Sequence, residues 1–361
     1  MVGCWDMIEI NHRIFPYTVG LDIDKEENVE DRLLVTFSYP NINALGKDPI
    51  SEDKVFLVSG RADNIFEATH NLSNRVQEPI DLKHLKVLSI SSEVASNEKL
   101  VRRILDGLNR DFVINKMVHL LVVKDSTKEL LETKLDLVRQ ETIEGALYSL
   151  LRNEQHSTRF TSKTLSDFIE DMDIQGASHM PVGYAPDDEI IISGAGIFKN
   201  YKLIGYLNET ENRDLALLNQ EVIEDGLDIN YKGINLSILV TSTKSKKRLV
   251  KKQDEFKILF SIEIEGHIHE YILDNDINID TEERFKSMEK AMAKSVKPSL
   301  EKTIKKLQKE FNADVIGVSG YLNRFHPKVW KQLEEEWDSI FPQLDIDVEV
   351  DVNIRRRGLT I

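Results

Sequence analysis

The chain has 361 residues, of which 41% are hydrophobic and 30% are charged, and its formal net charge is −15 at pH 7. This length exceeds the roughly 250–300 residues at which a single hydrophobic core stops growing, so we expect two or three domains. The negative charge disfavours nucleic acid as a partner, because phosphate binding requires a basic surface. It also repels anionic lipid headgroups, and no apolar run approaches the roughly 18–20 residues of a membrane-spanning helix. Residence at a membrane would therefore require an anchor.

The stretch Gly3-Cys4-Trp5-Asp6 contains the only cysteine of the chain, which excludes an intramolecular disulfide and a cysteine-based metal cluster. A cysteine behind a small residue is typical of a bacterial lipoprotein processing site, where two acyl chains on the thiol hold a domain on a bilayer. The alternative is a surface thiol near the terminus. Met1 stands where leucine is usual and no apolar signal segment precedes it, so we expect that a signal peptide was trimmed or the start misassigned.

The first half of the chain alternates apolar strand-like runs with segments of helical periodicity. Strands are predicted at residues 14–24, 33–39, 54–60, 85–91 and 117–123. Helices are predicted at residues 64–76, 98–108, near 140–153 and at 162–171. Ser96 or Asn97 is the expected N-cap of the helix at 98–108. The β-α-β-α-β order predicts a mixed or parallel sheet with helices packed on it.

Residues 176–188 contain glycine, proline and acidic residues without a period, and we place the main domain boundary there. The expected regions are a processing remnant at 1–4, an N-terminal α/β region at 5–185, which can itself divide in two, and a C-terminal α+β domain at 186–361. The predicted fold class is a multidomain mixture of α/β and α+β.

The C-terminal region is predicted to be a largely antiparallel sheet packed on one long helix. The helix is predicted at residues 285–311, where apolar side chains recur every three or four positions, and Pro298 is expected to kink or split it. The other predicted elements are a hairpin at 190–198 and 202–207, a helix at 209–218, strands at 235–242 and 255–265, a short strand at 315–318, a helix at 328–339 and a strand at 346–354.

No motif in the sequence supports catalysis, a metal or a cofactor. Gly194-Ala-Gly196 begins a dinucleotide-binding pattern, but Lys199 replaces its third glycine and a strand follows it. Gly317-Val-Ser-Gly320 lacks the last glycine of a nucleophile elbow. His267 and His269 share a strand face without a third ligand at a defensible spacing, so we interpret them as half-exposed strand positions.

Two polar stretches are candidate contact sites. The basic run before residue 253 is interpreted by default as a solvated hairpin turn, with the alternative that it contacts anionic lipid; its residues are Lys244, Lys246, Lys247, Arg248, Lys251 and Lys252. Asn208, Glu209 and Glu211 lie at a predicted strand-to-helix junction. They either cap the helix, which we favour, or contact a partner subunit.

Short segments that match one known family follow each other along nearly the whole chain. They are Gly3-Cys4-Trp5-Asp6 with Glu9, Gly20-Leu21-Asp22, Tyr39-Pro40, His84 to Leu88, Glu93, Ala95, Arg110-Asp111, Gly196 to Lys199, Leu203 to Asn208, Glu211, Asp314, Gly317, Pro327, Trp330, Trp337 and Gly358. In this order the chain resembles the C subunit of bacterial spore germinant receptors, the GerA-C-type lipoprotein family. It departs from the family at Met1, in the missing signal peptide and at Pro298.

The resemblance implies a fold of three α/β-type domains and a protein that is not an enzyme and carries no cofactor. It also implies a diacylglyceryl, palmitate-bearing Cys4 that anchors the protein to the outer face of the spore inner membrane. There the family's members accompany two integral-membrane subunits, of the A and B types, in a nutrient receptor required for germination. Two alternatives remain open: a solute-binding lipoprotein that captures a nutrient itself, which requires a polar-lined cleft, and an exported hydrolase.

Overall fold

The structure is a computed structural model that describes residues 13–25, 31–41, 55–133, 143–152, 158–186, 189–221, 225–231, 234–252, 255–271 and 281–355. Cys4 and Gly358 lie outside these ranges. The chain groups into two compact units. The first comprises residues 1–152, 162–172 and 179–204, and the second comprises residues 153–161, 173–178 and 205–361.

The described residues form twelve strands and eleven α-helices. The strands are β1 (Thr18–Ile23), β2 (Leu33–Pro40), β3 (Val55–Ala62), β4 (Val87–Ser91), β5 (His119–Val123), β6 (Ala177–Tyr184), β7 (Ile191–Lys199), β8 (Lys202–Leu207), β9 (Asp225–Tyr231), β10 (Ile234–Lys252), β11 (Glu255–Tyr271) and β12 (Asp345–Ile354). The helices are α1 (Ile65–Asn71), α2 (Ser92–Ala95), α3 (Glu98–Arg110), α4 (Thr127–Glu132), α5 (Ile143–Arg152), α6 (Leu165–Gln175), α7 (Glu209–Asn219), α8 (Glu282–Lys306), α9 (Val318–Phe325), α10 (Pro327–Leu333) and α11 (Trp337–Ile340).

The larger sheet has eight strands in the order β3-β2-β1-β4-β5-β6-β7-β8. Strands β1, β4, β5 and β6 pair in parallel, whereas β1–β2 and β2–β3 are antiparallel, which confirms the predicted mixed sheet. Helix α3 buries the face formed by Leu100, Val101, Ile104, Leu105 and Leu108, and its N-cap is Asn97, whose side chain accepts the amide of Leu100. The predicted hairpin is also present, because Asn200 and Tyr201 join β7 to β8 with φ values of 49° and 66°, as a type I′ turn requires.

No strand is predicted within residues 176–188, where the sequence shows no period, yet Ala177–Tyr184 is strand β6. Seven of its eight residues are buried, including Ser178 and His179. A strand covered on both faces does not alternate between apolar and polar residues, so the period that marks a half-exposed strand was missing.

The smaller sheet has four strands in the order β12-β11-β10-β9. It is antiparallel between β9 and β10 and between β10 and β11, and only β11 and β12 pair in parallel. Helix α8 packs against β12, β9 and α7 and buries Met288, Met292, Val296, Leu300 and Ile304. The predicted antiparallel sheet on one long helix is therefore confirmed.

Pro298 does not split the long helix, contrary to one of the two expected outcomes. Helix α8 continues from Glu282 to Lys306 and passes into a π-helical turn at Leu307–Phe311. Pro298 and Lys294 are both exposed. Pro298 has no N–H to donate to the carbonyl oxygen of Lys294, four residues earlier. Because both residues are exposed, water can reach this side of the helix and that carbonyl group.

Three further predictions require correction. Residues 244–252 do not form a turn between two strands, because β10 runs without a break to Lys252. The short strand predicted at 315–318 is a turn that leads into α9. The helix predicted at 328–339 is divided into α10, a 3₁₀ turn at Glu334–Glu336 and α11.

Candidate functional sites

Asn208, Glu209 and Glu211 lie where β8 passes into α7, as predicted, and two of them close the end of the helix. The amide of Glu211 donates to Asn208 Oδ1 at 3.0 Å, and the amide of Asn208 donates to Glu211 Oε2 at 3.0 Å. This reciprocal arrangement is a capping box, so the capping interpretation is confirmed.

Glu211 also joins α7 to the long helix. Lys306 Nζ donates to Glu211 Oε2 at 2.7 Å and to the carbonyl oxygen of Tyr206 at 3.1 Å. The side chain of Glu211 is only 13% exposed. A carboxylate that already holds a backbone amide and a lysine is poorly suited to bind a partner, and contact of these residues with a partner remains a prediction.

We expect Asn208→Ala to lower the free energy of unfolding by about 0.5–2 kcal/mol, because it removes the acceptor for a first-turn amide. Glu211→Lys should cost about 1–3 kcal/mol, since it removes a cap and sets two ammonium groups against each other. Denaturant unfolding measures both costs, and Asn208→Asp is the control because aspartate also caps. Unchanged stability of Glu211→Lys together with lost co-purification with membrane subunits would instead identify a partner interface.

The basic run on β10 does not form one continuous positive surface. Lys244, Lys246 and Arg248 are exposed. Lys244 and Lys246 lie 3.8 Å and 3.7 Å from the two carboxylate oxygens of Glu263 on β11. Lys247 points to the other face, where its ammonium lies 5.4 Å from the ring centroid of Phe260. Strand alternation thus divides the run between two environments.

Acidic side chains lie close to the exposed part of the basic run. On β12, which pairs with β11, Asp345, Glu349 and Asp351 are exposed, and Asp347 contacts Lys257. The exposed face of this sheet therefore carries both signs of charge. Lys251 is exposed as well, and the side chain of Lys252 lies outside the described residues. Contact of the run with anionic lipid remains a prediction, and this mixture of charges weakens its support.

Asp22 and Gly20 connect β1 to α4. The carboxylate of Asp22 accepts the amides of Thr127 at 2.8 Å and Lys128 at 3.0 Å and the hydroxyl of Thr127 at 2.8 Å. A Cβ atom on Gly20 would lie 2.6 Å from Thr127 Oγ1, so only glycine permits this approach. The Gly20-Leu21-Asp22 segment of the resemblance is therefore architectural, although the sequence predicted only a strand there and not its contact with α4.

Asp314 and Gly317 perform a similar task at the start of α9. The amides of Val318 and Ser319 donate to the two carboxylate oxygens of Asp314 at 2.9 Å and 2.7 Å. Gly317 occupies the N-cap position with φ of +66° and has no side chain with which to cap. Burial raises the pKa of Asp314, and these hydrogen bonds and the charge of Lys247 oppose the shift. Burial lowers the pKa of Lys247, while Asp314 and Glu221 oppose that change.

A further buried carboxylate, Asp214, joins α7 to α8. Its Oδ2 atom accepts the hydroxyls of Ser299 at 2.6 Å and Thr303 at 2.8 Å. Burial raises the pKa of Asp214, and the two hydroxyls oppose the shift. Asp214, like Asp314, is thus buried and hydrogen-bonded to other groups of the chain, and it does not face a cleft in which it could act on a substrate.

Among the described residues, no group of three or more histidine, cysteine or acidic side chains is placed to hold a metal ion. His267 is buried on β11, so the interpretation as a half-exposed position is wrong for this residue. The side chain of His269 lies outside the described part of the chain. Gly194 to Gly196 lies within strand β7 and does not open a helix. Within the described ranges, no helix is both long and apolar enough to cross a membrane.

Sequence reasoning also missed a group of exposed apolar side chains between α3 and β5. Phe112 is 96% exposed and Met117 is 61% exposed. Val113 lines a cavity of about 310 Å³ together with Phe66, Ile114 and the charged pair of Arg13 and Asp81. The signal in the sequence was an apolar run, Phe112 to Ile114, between Asp111 and Asn115, which are residue types common in turns.

Comparisons with known proteins agree over almost the whole chain. One family model, described as the spore germination protein N-terminal domain, matches residues 6–183, and another, described as spore germination B3/GerAC like, C-terminal, matches residues 193–358. Spore germination protein A3 of Bacillus subtilis strain 168 is 25% identical to this chain, and the alignment covers 99% of this chain and 94% of that protein. Spore germination protein B3 of the same strain is 23% identical, with coverage of 99% and 95%.

A solved structure shares the fold. The crystal structure of the GerBC protein aligns with a TM-score of 0.60 at 17% sequence identity, over 94% of this chain and 97% of that chain. The N-terminal model matches before the C-terminal model along the chain, as the segments of the resemblance do. Together the two models leave only short stretches of the chain unmatched. The chain belongs to the GerAC-type family of spore germination proteins.

Proposed function

We propose that this protein is a non-catalytic, lipid-anchored subunit of a nutrient germinant receptor and acts in spore germination. Its place is the outer face of the spore inner membrane, held there by a diacylglyceryl group on Cys4 and accompanied by two integral-membrane subunits. The observation that carries the proposal is the end-to-end match to spore germination proteins, with two consecutive family models over residues 6–183 and 193–358.

A non-catalytic role agrees with the structural roles of the polar side chains among the described residues. Asp22, Asp314 and the pair Asn208 and Glu211 each cap a helix, and Asp214 joins two helices. None of these groups forms the nucleophile–base pair that hydrolysis requires. The proposal is therefore for a protein that works by assembling with partners rather than by chemistry.

The solute-binding alternative has weaker support. The cavity beside Phe66 is mostly apolar in its lining; of its charged groups, Arg13 and Asp81 pair with each other, and Asp111 accepts a hydrogen bond from the amide of Val113. A nutrient with an ammonium and a carboxylate needs polar groups that are directed at the ligand. We therefore do not assign a nutrient to this cavity.

Cys4→Ala tests the anchor. In a strain that produces the protein behind a complete signal peptide, this change should abolish diacylglyceryl modification and move the protein from the membrane to the soluble fraction. The physical reason is that two acyl chains supply the binding energy and the folded domain has a net charge of −15. Mass spectrometry of the N-terminal peptide and membrane fractionation measure the two effects.

The control is the Cys4→Ala protein fused at its N-terminus to a transmembrane segment, which replaces the lipid as the anchor. If anchoring is the task of Cys4, this control returns to the membrane and again co-purifies with the two integral-membrane subunits. A Cys4→Ala protein that stays firmly membrane-bound without any lipid would contradict the lipid anchor. A wild-type protein that never co-purifies with membrane subunits would contradict the receptor assignment.

A further inference from the structure

The segment Asp111 to Met117, between α3 and β5, exposes apolar side chains in an unusual concentration. Phe112 is 96% exposed, Met117 is 61% exposed and Val113 is 46% exposed. Phe66 on α1, which is 37% exposed, lines the same cavity as Val113. Single exposed apolar residues are ordinary, but a group of them marks an interaction surface. We call Phe66, Phe112, Val113 and Met117 the apolar loop patch.

The polar side chains of this segment are used to hold its backbone. Asp111 Oδ1 accepts the amide of Val113 at 2.7 Å, and Asn115 Oδ1 accepts the amide of Met117 at 2.9 Å. Lys116 Nζ donates to the carbonyl oxygen of Leu108 at 2.8 Å and also to that of Asp111. These hydrogen bonds fix the backbone of the loop, while the side chains of Phe112 and Met117 remain exposed.

The apolar loop patch lies beside the point where the described chain begins. Arg13, the first described residue, lines the same cavity as Phe66 and Val113. Cys4 precedes Arg13 by nine positions. At roughly 3.3–3.6 Å per extended residue, a chain of this length reaches at most about 30 Å. An anchor at Cys4 therefore holds Arg13, and with it this cavity, within about 30 Å of the bilayer.

We propose that the apolar loop patch inserts shallowly into the lipid bilayer to which Cys4 anchors the protein. The inference rests on the lipid anchor of the proposed function and adds a second contact to it. Near the loop, Arg110 pairs with Asp106 at 2.9 Å, and the ammonium of Lys116 donates to carbonyl oxygens of Leu108 and Asp111. The contact is therefore hydrophobic and does not depend on anionic headgroups, which a protein of net charge −15 would avoid.

The experiment uses the single cysteine of the chain. A maleimide carrying one myristoyl chain is coupled to Cys4 of the full-length protein, and its partition onto phosphatidylcholine vesicles is measured by sedimentation. One such chain gives only marginal binding, with an association constant near ~10⁴ M⁻¹, so a second contact is readily detected. We expect Phe112→Ser/Met117→Ser to weaken partition about tenfold. Replacing a fifth of the lipid with phosphatidylglycerol should not strengthen binding of the wild type.

The matched control is Phe325→Ser, which removes a phenylalanine that is 61% exposed at the end of α9, and it should partition like the wild type. Phe112→Ser alone should also weaken partition, with a melting curve that matches the wild type because its ring makes little contact with the fold. Equal partition of the loop variants and the wild type would overturn the proposal. Equal partition combined with lost co-purification would overturn it too and would assign the patch to a protein partner.

Chemical coupling makes this test independent of the proposed function. If cells do not attach lipid to Cys4, the fractionation experiment fails while the vesicle experiment is unaffected. If the patch does not touch lipid, the vesicle experiment fails while Cys4→Ala still releases the protein from membranes.

Discussion

Leu300→Ala is expected to lower the free energy of unfolding by about 2–5 kcal/mol. Leu300 is fully buried on α8, on the apolar face that packs against the four-stranded sheet and α7. Truncation removes buried methyl groups and leaves a cavity that neighbours on a sheet and a long helix fill poorly. Denaturant unfolding monitored by the fluorescence of Trp330 and Trp337, which are both in the same unit, measures the change.

Lys294→Ala is the matched control for this prediction. Lys294 is exposed on the same helix, and its replacement by alanine should change the unfolding free energy by no more than about 0.5 kcal/mol. If Leu300→Ala were as mild as this control, the interpretation of α8 as the core helix of the C-terminal unit would be wrong.

The long helix could be predicted because its signal is local and periodic. Apolar side chains recur at helical spacing at Met288, Met292, Val296, Leu300 and Ile304. Side chains with this spacing lie on one face of the segment only if the segment is a helix. The capping box at Asn208 and Glu211 was predictable for the same reason, since its two partners are three residues apart. Patterns within a few turns of chain carry enough information to specify these features.

Strand β6 could not be recognised in this way. Pro181 and Gly183 are typical of turns, and Ser178 and His179 are polar, yet all four are buried. Burial lowers the pKa of His179 well below its usual value, so the fold holds a neutral imidazole there. Only the neighbouring strands of the sheet determine that such a segment is extended, and they come from residues distant in sequence.

The helix-capping role of Asp22 was missed because its partners are distant in sequence. Asp22 caps α4 from a position more than 100 residues earlier. The sequence marked Asp22 only as a strand residue and as part of a resemblance, and its bond to Thr127, which follows β5, depends on the order β1-β4-β5 of the sheet. Likewise, the acidic row on β12 that accompanies the basic run of β10 becomes visible only once the strand order is known.

Asp314→Ala is expected to lower the free energy of unfolding by about 2–5 kcal/mol. The change leaves the amides of Val318 and Ser319 without their acceptors in a buried place, and each unsatisfied amide costs about 1–3 kcal/mol. It also removes the carboxylate that favours the charged form of the largely buried Lys247. Asp314→Asn keeps one acceptor oxygen at the same position, so it should cost less than the alanine change.

The role of charge at this site can be separated from the role of hydrogen bonding. Burial raises the pKa of Asp314 above its unfolded value, so the folded state holds the proton more tightly and stability falls as pH rises through the ordinary aspartate pKa. Asp314→Asn removes this titration. Its cost relative to the wild type should therefore shrink between about pH 3.5 and about pH 7 in denaturant unfolding. A cost that grows over this range would mean that Lys247 and the two amides favour the carboxylate more strongly than burial opposes it.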